Sequence, residues 1–282
     1  PLTATVADAR RLVELMATHR VYGAVEFHKR WDEANLLLRQ TLAEGRLGEL
    51  RFITVEYSQR RGTRSIFQSW IEHTNIFQYL GVHYVDRIYF HTGARPTRVL
   101  ATGQPRAAIG AGLWHLDAIQ AVVEWEDPVG GAFVSTVATS WIEPERSSAM
   151  SDQRIRVVGT AGRYDSDQKH RGVEMVTEES GVEDPNPYFT QIYRSAAGRP
   201  VVEGYGPRSI RQFLTDVRDL LEGRSRVDDL LTRRPSFPEA LVSTAVVEAV
   251  NQSLRRGEEW VALDELLAKA GSPELSVSRP AR

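Results

Sequence analysis

Five segments rich in Val, Ile, Thr and aromatic residues fall between residues 51 and 162: RFITVEYSQRR, PTRVLATGQP, AIQAVVEW, GAFVSTVATSW and RIRVVGTAG, each bounded by Gly, Pro or Asp. β-Branched and aromatic side chains fit a pleated surface, and the bounding residues end or turn a strand. EDPVGG, between Trp125 and Ala132, reads as a hairpin connection. Strands this closely spaced, interrupted by a helix over residues 75–90, predict an α+β fold: a mainly antiparallel open sheet covered by helices. Farther on, PRSIRQFLTDVRDLLEG and SFPEALVSTAVVEAVNQSLRRGE carry apolar residues at helical spacing, with Gly223 and Gly257 as stops. These helices are expected to cover a sheet face or dock on the N-terminal segment.

The first residues have a different rhythm. PLTATVADARRLVELMATHR places Ala9, Leu12, Val13 and Met16 at helical spacing behind Thr5, a candidate cap. VYGAVEFHKR then reads as a short extended segment, and WDEANLLLRQTLAEGRLGEL returns to helical periodicity, closing near Gly45 or Gly48. Helix, strand, helix predicts the last piece of a layered α/β domain whose earlier strands lie outside this chain.

Composition narrows the partners. The 35 Lys and Arg residues nearly match 37 Asp and Glu, so the formal charge of -2 offers no field for wrapping nucleic acid. With no cysteine there is no disulfide, thiol nucleophile or thiolate metal site. No apolar run is long enough to span a bilayer, and no basic-then-apolar segment opens the chain. The expectation is a soluble, cytoplasmic protein that engages neither nucleic acid nor membrane.

Candidate chemistry centres on NIFQYLGVHYVDRIYF, residues 75–90. Helix positions three and four apart share a face, so Tyr79, His83 and Asp86 or Arg87 are expected in one column. Histidine takes and returns a proton near neutral pH, which makes His83 the first acid–base candidate. Asp86 is placed to orient the imidazole and Tyr79 to donate to a substrate hydroxyl. Gly81 in the same helix suggests close approach by another element or a ligand. A core histidine with satisfied hydrogen bonds would produce the same spacing.

In EFHKRWDEAN, Lys29 and Arg30 stand where the expected strand meets a helix, a usual place for clefts, and either cation suits a hydroxyl, carboxylate or phosphate. Solvation of a strand end explains them equally, and His28 is a weaker candidate because strand neighbours point to opposite faces. The segment QRRGTRSIFQSWIEHTN supplies Trp70, a candidate platform for a sugar ring, and Asn75; it reads equally as an oligomer contact. The spacing of His73, His83 and His91 fits no metal motif, so no metal site is expected. GTAG at residues 159–162 and GAG at residues 110–112 fall short of a dinucleotide loop.

Taken together, these residues resemble the Gfo/Idh/MocA family, the glucose-fructose oxidoreductase and inositol dehydrogenase group. Pro1 looks like the proline of the Glu-Lys-Pro motif that closes the family's Rossmann domain. YLGVHYVD resembles the pattern Asp-x-Gly-x-His-x-x-Asp: Gly81, His83 and Asp86 match, and Tyr79 stands where the family usually has aspartate. FHKRWDEAN, RVVGTAGRY and the last long helix also look like family segments, with Arg30 at the position of an arginine that lines the substrate side.

The resemblance implies residues 1–30 as a remnant of a dinucleotide-binding domain and residues 31–282 as a substrate-binding and oligomerisation domain. It implies NAD or NADP as cofactor, bound mostly by an upstream Rossmann domain or a separate subunit, and a sugar, cyclitol or related polyol as substrate. It implies a homo-oligomer formed through the sheet. His83 would take the hydroxyl proton with Tyr79 beside it, while Lys29, Arg30, Trp70, Asn75 and Asp86 would position or shape the pocket. A non-catalytic carbohydrate-binding or assembly domain is the alternative.

Overall fold

The computed structural model describes residues 1–67, 70–105, 116–179 and 181–268. The chain runs α1 (Val6–His19), a 3₁₀ turn (His28–Trp31), α2 (Glu33–Ala43), β1 (Leu50–Arg60), a π-helical turn (Phe77–Gly81), α3 (Val82–Thr92), β2 (Arg95–Pro105), β3 (Leu116–Glu126), β4 (Ala132–Glu143), β5 (Ser151–Gly159) and β6 (Arg163–Asp167). Two ribbons follow, β7 (Met175–Thr177) with β8 (Gly181–Glu183) and β9 (Gln191–Arg194) with β10 (Pro200–Glu203). The chain then forms α4 (Tyr205–Leu221), α5 (Val227–Leu231), α6 (Phe237–Arg255), β11 (Val261–Ala262) and α7 (Leu263–Ala268). The GAG cluster and the end of the chain lie outside the described residues.

The five strand segments all belong to one sheet, ordered β11-β2-β3-β4-β1-β5-β6. Its pairs are antiparallel except β1 with β4, where Val55 faces Val137 in parallel register. Alternation sends Ile53, Val55 and Tyr57 of β1 and Phe133, Val137 and Trp141 of β4 into the core, while Phe52 and Val134 look outward. Trp125 is fully buried yet satisfied, its Nε1 donating to Ser135 Oγ at 2.8 Å.

Helix α6 is buried on nearly all sides and packs against β2, α1 and α3, as a helix apolar around its girth must. Its start is capped by Ser236, whose Oγ accepts from the Glu239 amide, and Thr5 and Asp32 cap α1 and α2 in the same way.

Two expectations need correction. Residues 21–27 form no strand: a single bridge joins Ala24 to Ser236, and the chain then tightens into the 3₁₀ turn. A strand requires a partner along its length, and only one residue of α6's cap region runs alongside. The helix over residues 75–90 is not uniform either, because its first turn is π-helical. Gly81 answers to that turn rather than to a ligand: a Cβ on it would lie 2.7 Å from Cδ2 of Phe77, whose ring folds over the missing side chain.

Burial in this fold is unfavourable for two imidazoles. Both nitrogens of His91 are buried without a hydrogen-bond partner, and so is Nδ1 of His83. Burial, then the charges of Arg87, Arg39 and Arg30, hold His91 well below the ordinary histidine value of 6.5; burial, then His28 and Lys29, do the same to His83. Both rings are therefore neutral in the fold but protonate in the unfolded chain below that value. The unfolded state then binds more protons, so stability falls as pH drops below 6.5 towards the lowered values. Each imidazole contributes up to about 1.4 kcal/mol per pH unit in that window. Thermal unfolding between pH 5 and 7 should show the midpoint rising with pH, with a shallower rise in His91→Leu; a flat profile or an unchanged slope in that variant would contradict this.

Candidate active site

The π-helical turn sets the site. One residue more per turn than an α-helix swings the residues before Gly81 relative to those after it. Asn75 holds the start of this turn: its Oδ1 accepts from the Gln78 amide at 2.9 Å and its Nδ2 donates to Asn251 Oδ1 on α6 at 2.7 Å. From this turn and the first turn of α3, Tyr79 and His83 both reach the wall of an open cavity of about 420 Å³. Pro1, Thr3, Ala4, Glu26, Phe27, Trp70 and His73 stand on its rim. Trp70 meets Tyr79 edge to face, ring centres 6.2 Å apart.

At His83 and Tyr79 the wall presents a neutral acceptor and a neutral donor. His83 is an unprotonated imidazole at neutral pH, for the reasons given above. Burial raises the Tyr79 phenol above its usual value, against a hydrogen bond from Gln59 that opposes the shift, so Tyr79 is a protonated donor. A neutral base one turn from a phenol can accept a hydroxyl proton while the phenol donates to the same oxygen. Phe27 packs its ring at right angles to His83, centres 5.9 Å apart, which fixes the imidazole plane.

Of the residues expected at the site, the structure brings His83, Tyr79 and Trp70 together and places four elsewhere. Arg30 is buried and fully engaged: Nε and Nη2 bind the Asp86 carboxylate at 3.0 and 2.6 Å, and Nη1 binds Glu239 at 2.9 Å. Asp86 thus faces Arg30 and is not the partner that orients His83. Asn75 is the cap just described. Lys29, 2% exposed, points to the sheet side, donating to Gln168 Oε1 at 3.0 Å and to Gln153 Oε1, 5.3 Å from the Tyr57 ring centre. Burial, then Arg87, hold its ammonium well below the usual lysine range. The expected column of Tyr79, His83 and Asp86 is not realised as a hydrogen-bonded set, although positions three apart share a helix face, because the buried Asp86 carboxylate is taken by the Arg30 guanidinium.

The residues that sequence reasoning passed over are Glu26 and His28. Glu26 lines the cavity, and His28 lies behind it with its ring centre 5.3 Å from that of His83. The signal was their closeness in sequence, a carboxylate two residues before an imidazole at the entry to the 3₁₀ turn. His28 was set aside because it was weighed against Lys29 and Arg30 and not against Glu26.

Among the described residues no group of three His, Asp or Glu side chains is placed to hold a metal ion, and no helix is long and apolar enough to cross a membrane.

Comparison with known proteins bears on the fold just described. No curated protein matches the chain. Solved structures do, at identities where the likeness is one of fold. A probable dehydrogenase from Thermotoga maritima superposes with a TM-score of 0.66 at 18% identity, covering 94% of this chain and 72% of that one. Scyllo-inositol dehydrogenase from Lactobacillus casei, solved with bound cofactor NAD(H) and scyllo-inositol, gives 0.61 at 16% identity, covering 92% and 70%. An oxidoreductase from Agrobacterium radiobacter, in complex with NAD+, L-tartaric acid and magnesium, gives 0.65 at 18%, covering 95% and 72%. The family model of the GFO/IDH/MocA C-terminal domain matches residues 36–165, which span α2 to β6 and include the helix of His83. Residues 36–165 are thus similar to the GFO/IDH/MocA C-terminal domain.

Proposed function

We propose that this chain is the substrate-binding part of a nicotinamide-dependent oxidoreductase acting on a secondary hydroxyl of a sugar, cyclitol or related polyol. The observation that carries this reading is the pairing of a neutral His83 with a protonated Tyr79 on the wall of one open cavity. The family and the ligands of its structural neighbours, NAD(H) with scyllo-inositol in one case, support the substrate class.

In this reading His83 accepts the hydroxyl proton while Tyr79 donates a hydrogen bond to the same oxygen, and the Trp70 ring packs against the carbon face of the substrate. A bound nicotinamide supplies hydride acceptance. The chain's own side of the cavity fits such a group, since Val25, Phe27 and Val82 give a flat ring an apolar wall beside an imidazole with an orphaned nitrogen. Tyr79, where the family usually has aspartate, replaces an acceptor by a donor and so favours an alkoxide-like or carbonyl oxygen over a hydroxyl hydrogen. Arg30 and Asp86 act at one remove, by holding the 3₁₀ turn against α3.

Residues 1–30 as the tail of a dinucleotide-binding domain, residues 31–282 as the substrate domain, and an NAD- or NADP-binding domain bordering the cavity from the same chain or a separate subunit belong to the same proposal. A cytoplasmic setting goes with it.

Oxidation of polyols by the protein with NAD+ or NADP+, followed by the absorbance of the reduced cofactor, tests the reading. His83→Ala should lower kcat by about 100-fold or more while leaving polyol affinity nearly unchanged. Undiminished turnover in the variant would contradict it; polyol binding with neither dinucleotide binding nor turnover would favour a non-catalytic carbohydrate-binding domain.

The reading extends to assembly. The outward face of the sheet carries Phe52 and Val134 beside Thr54, and we propose that two copies pair through it. Sedimentation should give a mass above that of one 31.7 kDa chain, reduced in Phe52→Asp; a monomer across the accessible concentration range would contradict the pairing.

A further inference from the structure

We infer that His28 and Glu26 form a proton path from His83 to bulk water, so that the base of the cavity is one end of a two-imidazole relay. The inference rests on the oxidoreductase reading, because a relay is needed only if His83 takes a proton.

Three features of the structure carry it. First, the His28 and His83 rings lie side by side, centres 5.3 Å apart and inclined at 46°, with no direct hydrogen bond between them, a span that one bridging water closes. Second, the far side of His28 faces a carboxylate: Nδ1 is 3.5 Å from Glu26 Oε1, and Glu26 is 58% exposed where His28 is 21%. Exposure thus rises along the path towards water. Third, both outer groups are held in place. Tyr205 stacks on His28 at 5.7 Å with the rings 12° apart, and Phe189 packs on it at 5.5 Å. Ser209 Oγ donates to the same Glu26 oxygen at 2.5 Å.

The chain around residue 204 is built to deliver these rings. Gly204 has φ +111°, a conformation side chains rarely adopt, and a Cβ there would lie 2.4 Å from the Phe189 carbonyl oxygen. The amides of Tyr205 and Gly206 donate to the carbonyls of Tyr188 and Phe189 at 2.7 and 3.0 Å, so the first turn of α4 carries Tyr205 and clamps Phe189 beside it.

The groups facing this path are few. His83 meets His28, the Lys29 ammonium from the 3₁₀ turn, the Pro1 amino group across the cavity and, one turn back, Tyr79; His28 meets His83, Glu26 from the preceding segment and the Tyr205 phenol from α4. Lys29 repels a proton that stays on His83, and Glu26 attracts one that reaches His28. Burial alone would raise the Glu26 carboxyl, and hydrogen bonds from His28 and Ser209 overcome that and hold it below its usual range. A base that holds its proton weakly beside a carboxylate-backed imidazole favours transfer outward.

The step balances without electrons moving along the path. The substrate hydroxyl gives its proton to His83 and its carbon gives hydride to an oxidised nicotinamide dinucleotide. His83 passes a proton to the free nitrogen of His28, and His28 releases its Nδ1 proton to water beside the exposed Glu26 carboxylate, which draws the proton outward without keeping it. Each imidazole ends neutral with its proton on the other nitrogen, and exchange with water restores the starting tautomer.

Imidazole nitrogen NMR on the intact protein without cofactor tests the coupling directly. In His28→Gln the His83 titration should move to higher pH, since the charge of His28 helps hold it down. Glu26→Gln, at the most exposed position of the path, should displace the His28 ring-nitrogen resonances even if the first variant folds poorly. A His83 titration unchanged in His28→Gln, or His28 resonances unchanged in Glu26→Gln, overturns the relay whatever the activity.

In turnover assays with NAD+ or NADP+, His28→Gln should lower kcat at constant KM, and added imidazole should restore part of it. A loss that imidazole does not restore, or a rise in KM alone, assigns His28 to packing and overturns the relay. Protein whose two rings respond to these substitutions as stated but which turns over no polyol would instead overturn the oxidoreductase reading, so the two failures are told apart.

Discussion

The site depends on one buried ion cluster. Arg30, 5% exposed, binds Asp86 through two nitrogens and Glu239 through the third, and so ties the 3₁₀ turn to α3 and to the first turn of α6. Burial opposes a charge on Arg30, and Asp86 and Glu239 more than offset it, so the guanidinium remains protonated. Its plane also lies over the Phe90 ring, 4.9 Å from the centre. A buried cluster of this kind adds little stability compared with a well-packed apolar replacement, but removing one partner leaves a charge stranded. Its use here is geometric. Three elements are held in one register, and that register puts the ring of His28 against the ring of His83.

A second polar layer lies behind the first. Asp32 caps α2, takes both terminal nitrogens of Arg171 at 2.9 and 2.8 Å and accepts from Gln168 at 2.7 Å, while Gln168 in turn accepts from Lys29. This network locks Lys29 and the underside of the 3₁₀ turn to the sheet. The cations that invite a substrate-binding reading in the sequence are thereby used up inside the protein. The cavity is left with a phenol, imidazoles, a tryptophan and one carboxylate, a lining suited to hydroxyl-bearing ligands.

How much of this was legible in the residues follows from the range of each interaction. The strands were readable because alternation is local: Ile53, Val55 and Tyr57 go in where Phe52 and Thr54 go out, and the sequence displays that every second residue. The caps Thr5, Asp32 and Ser236 are likewise local. Residues 21–31 misled because Val, Tyr and Phe suit a strand, yet whether a strand forms depends on a neighbour, and Ala24 finds only Ser236. The π-helical turn was invisible because hydrophobic periodicity over one turn does not register an added residue. Arg30 matched a family position, but its partners lie 56 and 209 residues away, and nothing in its own surroundings reveals them. His83, Tyr79 and Trp70 were legible as a group since they sit close together in sequence and on neighbouring turns. The family pattern sharpened that reading, and position 79 is where this sequence departs from it.

The most direct test of the claim that the Arg30 cluster sets the site is Asp86→Asn, examined by urea unfolding and by the imidazole resonances of His83 and His28. The account predicts a loss of about 3 kcal/mol or more, accompanied by displaced resonances of both rings, although neither ring touches Asp86. Stability and ring resonances indistinguishable from those of the parent protein would show that the cluster does not hold the two histidines together.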